Sequence, residues 1–278
     1  MLSTVDFAID RDVTLHAYEW PNERGASGRP MLLVHGLASN ARMWDGVAEE
    51  LAARGHRVVA VDLRGHGQST KPSVGYDFTT ITDDLRAVVE SLGGEKPAVA
   101  GQSWGGNVVI ELAARFPGLT HAVACVDGGF IELSDEFRTW EQCAERLAPP
   151  HLEGTPASRL EATMRAAHPD WPDTGIKGML ANLEVRSDGT VRPWLSRANH
   201  MTILRALWEQ HPRDLYPLIT EPVLMIAAKA TDTAPGKEAA VEQAMTILRR
   251  GSALWIAGDH DLHAQHPIAV ADALAALA

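Results

Sequence analysis

An alcohol becomes a nucleophile at neutral pH when an imidazole takes its proton and a carboxylate fixes the imidazole's tautomer. This chain carries residues of all three kinds at places where strands end. Ser103 stands in Gly101-Gln102-Ser103-Trp104-Gly105-Gly106. Before it lies a short apolar run, Ala98-Val99-Ala100, bounded by Pro97, which predicts a buried strand. After it comes NVVIELAARF, an amphipathic helix stopped by Pro117 and Gly118. Strand, tight turn and helix with serine at the apex is the setting that gives a Gly-x-Ser-x-Gly match its meaning. A serine on so sharp a turn holds a strained backbone, and its neighbours two positions away have no room for a Cβ, which Gly101 and Gly105 lack. The bland alternative is a glycine-rich turn that merely packs; the strand and helix on either side favour the nucleophile.

The candidate base is His260, in Gly258-Asp259-His260, just past the apolar strand Ala253–Ala257. His263 and His266 fall where the next helix begins and read as surface or supporting groups. The spacing of the three histidines invites a metal, yet no carboxylate or cysteine set completes a ligand pattern, so no metal is expected. An acyl-transfer intermediate also needs donors for its oxyanion. The N–H of Trp104, at a helix start, is one candidate, and that of Leu37, in His35-Gly36-Leu37, is the other. His35, at a strand end, reads as a hydrogen-bonded structural group rather than an acid or base. A carboxylate at the carboxyl end of a parallel strand sits on the edge where ligands bind, and Asp127 ends the apolar run Ala122–Val126.

The positioning elements follow from periodicity. Residues 3–20 alternate loosely and suggest two antiparallel edge strands joined near Asp10-Arg11-Asp12. Met31–Val34, Arg57–Val61, Ala98–Ala100, Ala122–Val126, Pro222–Ala227 and Ala253–Ala257 are continuous apolar runs, the pattern of strands buried on both faces. Helices over Asn40–Arg54, Thr79–Leu92 and the segment after Ser103 alternate with them, which predicts a parallel, doubly wound sheet. From Phe130 to about Pro217 the rhythm breaks. Helices are expected over Glu136–Leu147, Pro156–Ala167, Thr174–Val185 and Ser196–Gln210, with a tight turn at Asp188-Gly189. Trp140, Trp171, Trp194 and Trp208 all lie in this stretch; they pack it internally, or one or two roof the serine and make an apolar, aromatic site. Helices over Glu238–Arg249 and Ala269–Ala278 close the chain.

Composition narrows the classes. The chain has 278 residues, 45% hydrophobic and 22% charged, enough for one large α/β domain with an insertion. A net charge of −11 argues against nucleic acid and against an anionic membrane surface as partners. The two cysteines, Cys125 and Cys143, give no disulfide framework, and the N-terminus shows no signal peptide, so a cytoplasmic location is expected.

His35-Gly36, Asp62-Leu63-Arg64-Gly65-His66-Gly67-Gln68-Ser69, the turn around Ser103 and Gly258-Asp259-His260 occur in the order and at the spacing of the α/β-hydrolase fold superfamily, which the chain resembles over nearly its whole length. The resemblance implies an α/β fold: a doubly wound, mostly parallel eight-stranded sheet with helices on both faces and an inserted α-helical cap. The core would span residues 1–129 and 218–278 and the cap 130–217. It further implies Ser103 as nucleophile, His260 as general base and acid, and Leu37 and Trp104 as oxyanion donors. The turn is also similar to that of haloalkane dehalogenases, whose nucleophile is an aspartate; serine here argues against that reaction. The third member has two candidates. The family's usual place points to Asp232, where the expected glycine is missing, and some members carry the acid one strand earlier, at Asp127. A fixed strand end followed by two glycines puts Asp127 first, with Asp232 as the alternative. The expected activity is hydrolysis of an apolar or aromatic ester or lactone, without metal or organic cofactor. C–C, thioester or amide hydrolysis or perhydrolysis on the same scaffold, and a non-catalytic small-molecule receptor, are the alternatives.

Overall fold

The computed structural model describes residues 2–21, 28–229 and 236–278. Among the described residues ten strands form: β1 (Ser3–Ala8), β2 (Thr14–Trp20), β3 (Gly28–Val34), β4 (His56–Val61), β5 (Ala98–Gln102), β6 (Ala122–Val126), β7 (Leu183–Val185), β8 (Val191–Pro193), β9 (Val223–Lys229) and β10 (Gly251–Ala257). Eight of them make one sheet in the order β1-β2-β4-β3-β5-β6-β9-β10. β1–β2 and β2–β4 are antiparallel and the remaining pairs parallel. So β1 is an edge, as its alternation suggests, whereas β2 is internal, covered by β4 on its other side.

The helices are α1 (Asp45–Ala53), α2 (Phe78–Leu92), α3 (Trp104–Arg115), α4 (Leu133–Glu136), α5 (Trp140–Leu147), α6 (Ala157–Ala167), α7 (Asp173–Leu180), α8 (Arg197–Glu209), α9 (Pro212–Leu215), α10 (Lys237–Ile247), α11 (Leu262–Gln265) and α12 (Pro267–Ala275).

Side chains alternate across a strand, and here the alternation sorts the core into two layers. Leu32, Val34, Val59, Val61, Val99 and Val123 pack with the apolar faces of α2 and α3. Their neighbours Met31, Leu33, Val58, Ala60, Ala98, Ala100 and Ala124 face the other way, onto α1 and α12. The second layer is rich in alanine, which lets those helices approach closely. Each large side chain fully buried in such a layer contributes about 1.5–3 kcal/mol.

Several expected helices have other bounds. The segment expected as a helix over Asn40–Arg54 is a 3-10 turn, Ala41–Trp44, followed by α1; the Asn40 side chain accepts the Arg42 N–H and starts it. The helix expected from Glu136 begins at Trp140, where Thr139 supplies the cap. The helix expected over Thr174–Val185 stops at Leu180, because Leu183–Val185 pair with Val191–Pro193 across the Asp188-Gly189 turn. α7 is tied down by close packing: a Cβ on Gly178 would lie 2.7 Å from the Arg42 carbonyl oxygen. Among the described residues no helix is long and apolar enough to cross a membrane.

Candidate active site

The turn after β5 puts Ser103 at φ 52°, ψ −124°, a conformation L-residues rarely adopt. The surroundings over-determine it. A Cβ on Gly101 would lie 2.1 Å from the Gly105 carbonyl oxygen, and one on Gly105 would lie 2.4 Å from that of His35. Both glycines therefore answer to backbone contacts that cannot give way. The Ser103 N–H donates to the Val126 carbonyl at 2.9 Å, stitching the turn to the next strand.

That strand delivers Asp127. Gln102 and Val126 are partners in the β5–β6 register, so Ser103 and Asp127 leave adjacent strands at the same level. Asp127 is itself in the left-handed region, φ 44°. The turn behind it is pinned twice: the Asn107 side chain accepts the Gly129 N–H at 2.9 Å, and the Tyr216 hydroxyl donates to the Gly129 carbonyl at 2.8 Å.

His260 Nδ1 lies 2.7 Å from Asp127 Oδ2. An ionised carboxylate only accepts, so Nδ1 carries the proton and Nε2 is left with a free lone pair. Asp127 Oδ1 accepts the Ala228 N–H at 2.8 Å, and the Lys237 ammonium reaches both carboxylate oxygens at 2.9 Å. Burial pushes the Asp127 carboxyl up, but the hydrogen bond and charge of His260, then Lys237 and the Ala228 amide, outweigh it and hold the group below the usual carboxylate range. For His260, whose side chain is about half exposed, partial desolvation opposes protonation. The hydrogen bond to Asp127 and the charges of Asp261 and Asp127 outweigh that, leaving the imidazole above its ordinary value, while Lys237 pulls the other way.

A further tie joins base and serine turn. Gln102, the residue before Ser103, donates through Nε2 to the His260 carbonyl at 3.2 Å and to Asp261 Oδ1 at 3.3 Å. A Cβ on Gly36 would lie 2.4 Å from Gln102 Oε1 and 3.2 Å from Ser103 Cβ, so the Gly36-Leu37 loop runs directly against the turn. Among the described residues neither the Leu37 nor the Trp104 backbone N–H meets an acceptor.

The structure thus brings Asp127 and His260 into contact and sets both beside the Ser103 turn. Asp232 lies outside the described residues. His35 uses both ring nitrogens: Nδ1 donates to the Gly36 carbonyl at 2.7 Å and Nε2 accepts the Leu63 N–H at 3.0 Å, which leaves no lone pair for a substrate proton. Of the two readings of His263, surface or supporting, the structure overturns the first. His263 is fully buried against Trp44, ring centroids 4.5 Å apart, because α11 turns it inward; burial lowers its imidazole to about 3. Among the described residues no three His, Cys, Asp or Glu side chains converge as a metal site. Of the four tryptophans, Trp140 and Trp208 pair with each other, and Trp194 lies under Lys71. Trp171 donates to Asp259 at 3.1 Å, next to His260.

Sequence reasoning missed Gln102, Asn107, Tyr216 and Lys237. Gln102 was readable as the last strand residue before a nucleophile. The other three are set by contacts between residues far apart in the chain and leave no periodic trace.

The comparisons agree with this architecture. The sequence pattern that describes the alpha/beta hydrolase fold matches residues 29–171, and the chain belongs to that family. AB hydrolase superfamily protein YisY of Bacillus subtilis is 44% identical over 91 residues, 33% of this chain. That alignment spans only 34% of YisY, about a third of its length. The 2-(acetamidomethylene)succinate hydrolase of Mesorhizobium japonicum is 29% identical over 232 residues, 81% of this chain and 80% of that protein. Among solved structures, E-2-(acetamidomethylene)succinate hydrolase superposes with a TM-score of 0.81 at 24% identity over 100% of this chain and 99% of that one. The enol-lactonase of Burkholderia xenovorans LB400 gives 0.72 at 18% identity over 98% of this chain and 99% of that one. At such identities the two structures speak for the fold.

Proposed function

We propose that the protein is a serine hydrolase that cleaves a carboxylic ester or lactone through an acyl-enzyme, with Ser103 as nucleophile, His260 as base and Asp127 as the acid behind it. The observation that carries the reading is the 2.7 Å bond from His260 Nδ1 to Asp127 on the strand next to the strained Ser103 turn. It leaves Nε2 as the only ring nitrogen able to accept a proton.

In this reading His260 Nε2 takes the Ser103 hydroxyl proton as Oγ attacks the carbonyl. Asp127 stabilises the imidazolium without being protonated. The Leu37 and Trp104 amides hold the oxyanion, each contributing about 3 kcal/mol in comparable sites. His260 then protonates the leaving alcohol, activates a water, and the second tetrahedral intermediate collapses to free Ser103. The chemistry calls for no metal or organic cofactor. Residues 130–217 act as a cap over the serine, joined to the base's loop by the Trp171–Asp259 bond. The net charge of −11 argues against nucleic acid and an anionic membrane surface, and the proposed substrate is a small apolar or aromatic ester or lactone met in the cytoplasm.

A second reading has its own support. The relative similar over 81% of this chain is named for a compound bearing an acetamido group, so an amide is the alternative scissile bond. A fluorophosphonate probe followed by turnover of short p-nitrophenyl esters and anilides tests both. Labelling at Ser103 with ester turnover supports the first reading, and faster anilide turnover supports the second. Labelling without turnover points to a small-molecule receptor on this scaffold. Full ester activity in Ser103→Ala sinks the mechanism.

A further inference from the structure

Lys237 opens α10, which follows β9 in the chain, 110 residues from Asp127. Its ammonium donates to both carboxylate oxygens at 2.9 Å and lies 3.4 Å from the Ala228 carbonyl oxygen. The carboxylate therefore holds two cationic partners when His260 is protonated. The Asp127 side chain is 1% exposed and that of Lys237 20% exposed, so this charge pair is little screened by solvent. A salt bridge so buried is weak as a stabilising device, since desolvation offsets much of the attraction. Geometrically it does something more definite. A cation bonded to both oxygens prevents the carboxylate from rotating away from the imidazole.

We propose that Lys237 is a positioning residue for the hydrolysis: its ammonium fixes the Asp127 carboxylate toward His260 and divides that carboxylate's charge between two cations. This rests on the Ser103–His260–Asp127 reading. The consequence is electrostatic. Asp127 stabilises the imidazolium less than an unshared carboxylate does, so His260 stays neutral, and able to act as base, down to a lower pH.

Other titratable groups lie around His260 and Lys237. Asp259 and Asp261 lie on the loop of His260, and the imidazoles of His263, on α11, and of His35 are both held low by burial. His168, from the segment after α6, is 3.7 Å from Asp259. Lys237 also lines a groove of about 520 Å³ with Glu132, Asp135, Glu136 and Arg213. There Arg213 pairs with Glu132 and, at 2.8 Å, with Asp135.

The test is the pH profile of kcat/KM on p-nitrophenyl acetate for wild type, Lys237→Met, Lys237→Gln and Lys237→Arg, each also treated with the fluorophosphonate probe. Removing the cation leaves Asp127 wholly to His260, so the acid limb of the Met and Gln variants moves up by about half a unit to one unit. The Arg variant keeps the wild-type limb, and KM changes little in all three. Should the Met variant fail to fold, the Gln variant decides alone. An acid limb unmoved in variants that still label overturns the proposal, whether or not activity also falls uniformly at every pH. A wild type that neither labels nor turns over ester fails differently: it overturns the underlying reading and the proposal with it.

Discussion

Gly128 meets the backbone of Ser103 so closely that a Cβ there would lie 2.1 Å from the Ser103 carbonyl oxygen and 2.8 Å from its Cα. The residue after the candidate acid is thus wedged against the candidate nucleophile, and the two strand ends cannot move independently. Gly128→Ala must push them apart. Because misplacement by about 1 Å can cost 10²-fold, kcat is expected to fall by that order while KM changes less. Steady-state kinetics with a melting curve, to separate this from global unfolding, checks it. Unchanged kcat in a folded variant would show that the wedge has no bearing on the chemistry.

Asp127→Asn removes the charge and allows the wrong imidazole tautomer. A loss of about 10⁴ in kcat is expected, against at most a few-fold loss for Asp232→Asn. Parallel kinetics of the two variants discriminate between the acids. A large loss confined to the second would reverse their ranking.

The acid limb of kcat/KM reports His260. The base works only when neutral, and its imidazole is held above the ordinary histidine value. Activity should therefore already decline as the pH falls through neutrality, with an apparent midpoint above about 6.5. Asp127, held below the carboxylate range, stays ionised throughout that window. A midpoint well below the ordinary histidine value would contradict the assigned surroundings of His260.

Arg64 and Asp84 form a buried two-bond pair, 2.6 Å on each arm, that anchors the loop after β4 to α2. Arg64→Ala strands the Asp84 carboxylate, at a cost of about 3–5 kcal/mol. Replacing both by leucine or methionine should recover much of that. Denaturant unfolding of the single and double variants measures it; equal losses in both would refute the account.

Gln102→Ala frees the His260 loop from the serine turn. A drop in kcat of about tenfold with little change in stability is expected, since each bond is near the long end of the hydrogen-bond range. Kinetics beside thermal melts check the split, and a variant that loses stability but not kcat would make the contact merely structural.

The two-layer core was legible because every central strand is an apolar run and every flanking helix carries a 3.6-residue stripe. The strained serine was legible because glycines stand where backbone oxygens come within 2.4 Å of an absent Cβ. Asp127 was legible as a strand end, whereas the cation bound to it was not: Lys237 and Asp127 meet only through the sheet order that brings β9 beside β6. The end of α7 escaped for a similar reason, since Leu183–Val185 continue the helical spacing but find a partner strand eight residues on, at Val191. His263 sits on what reads as a surface position until Trp44 arrives from another element.

Mixing the protein with p-nitrophenyl acetate, quenching in acid within the first turnover and mapping the acetyl group by peptide mass shows whether Ser103 is acylated. Expected are a burst of nitrophenol, one acetyl per chain carried by the peptide containing Ser103, and neither burst nor acetyl in Ser103→Ala. An acetyl group found on another residue, or full turnover surviving in that variant, would contradict Ser103 as the nucleophile.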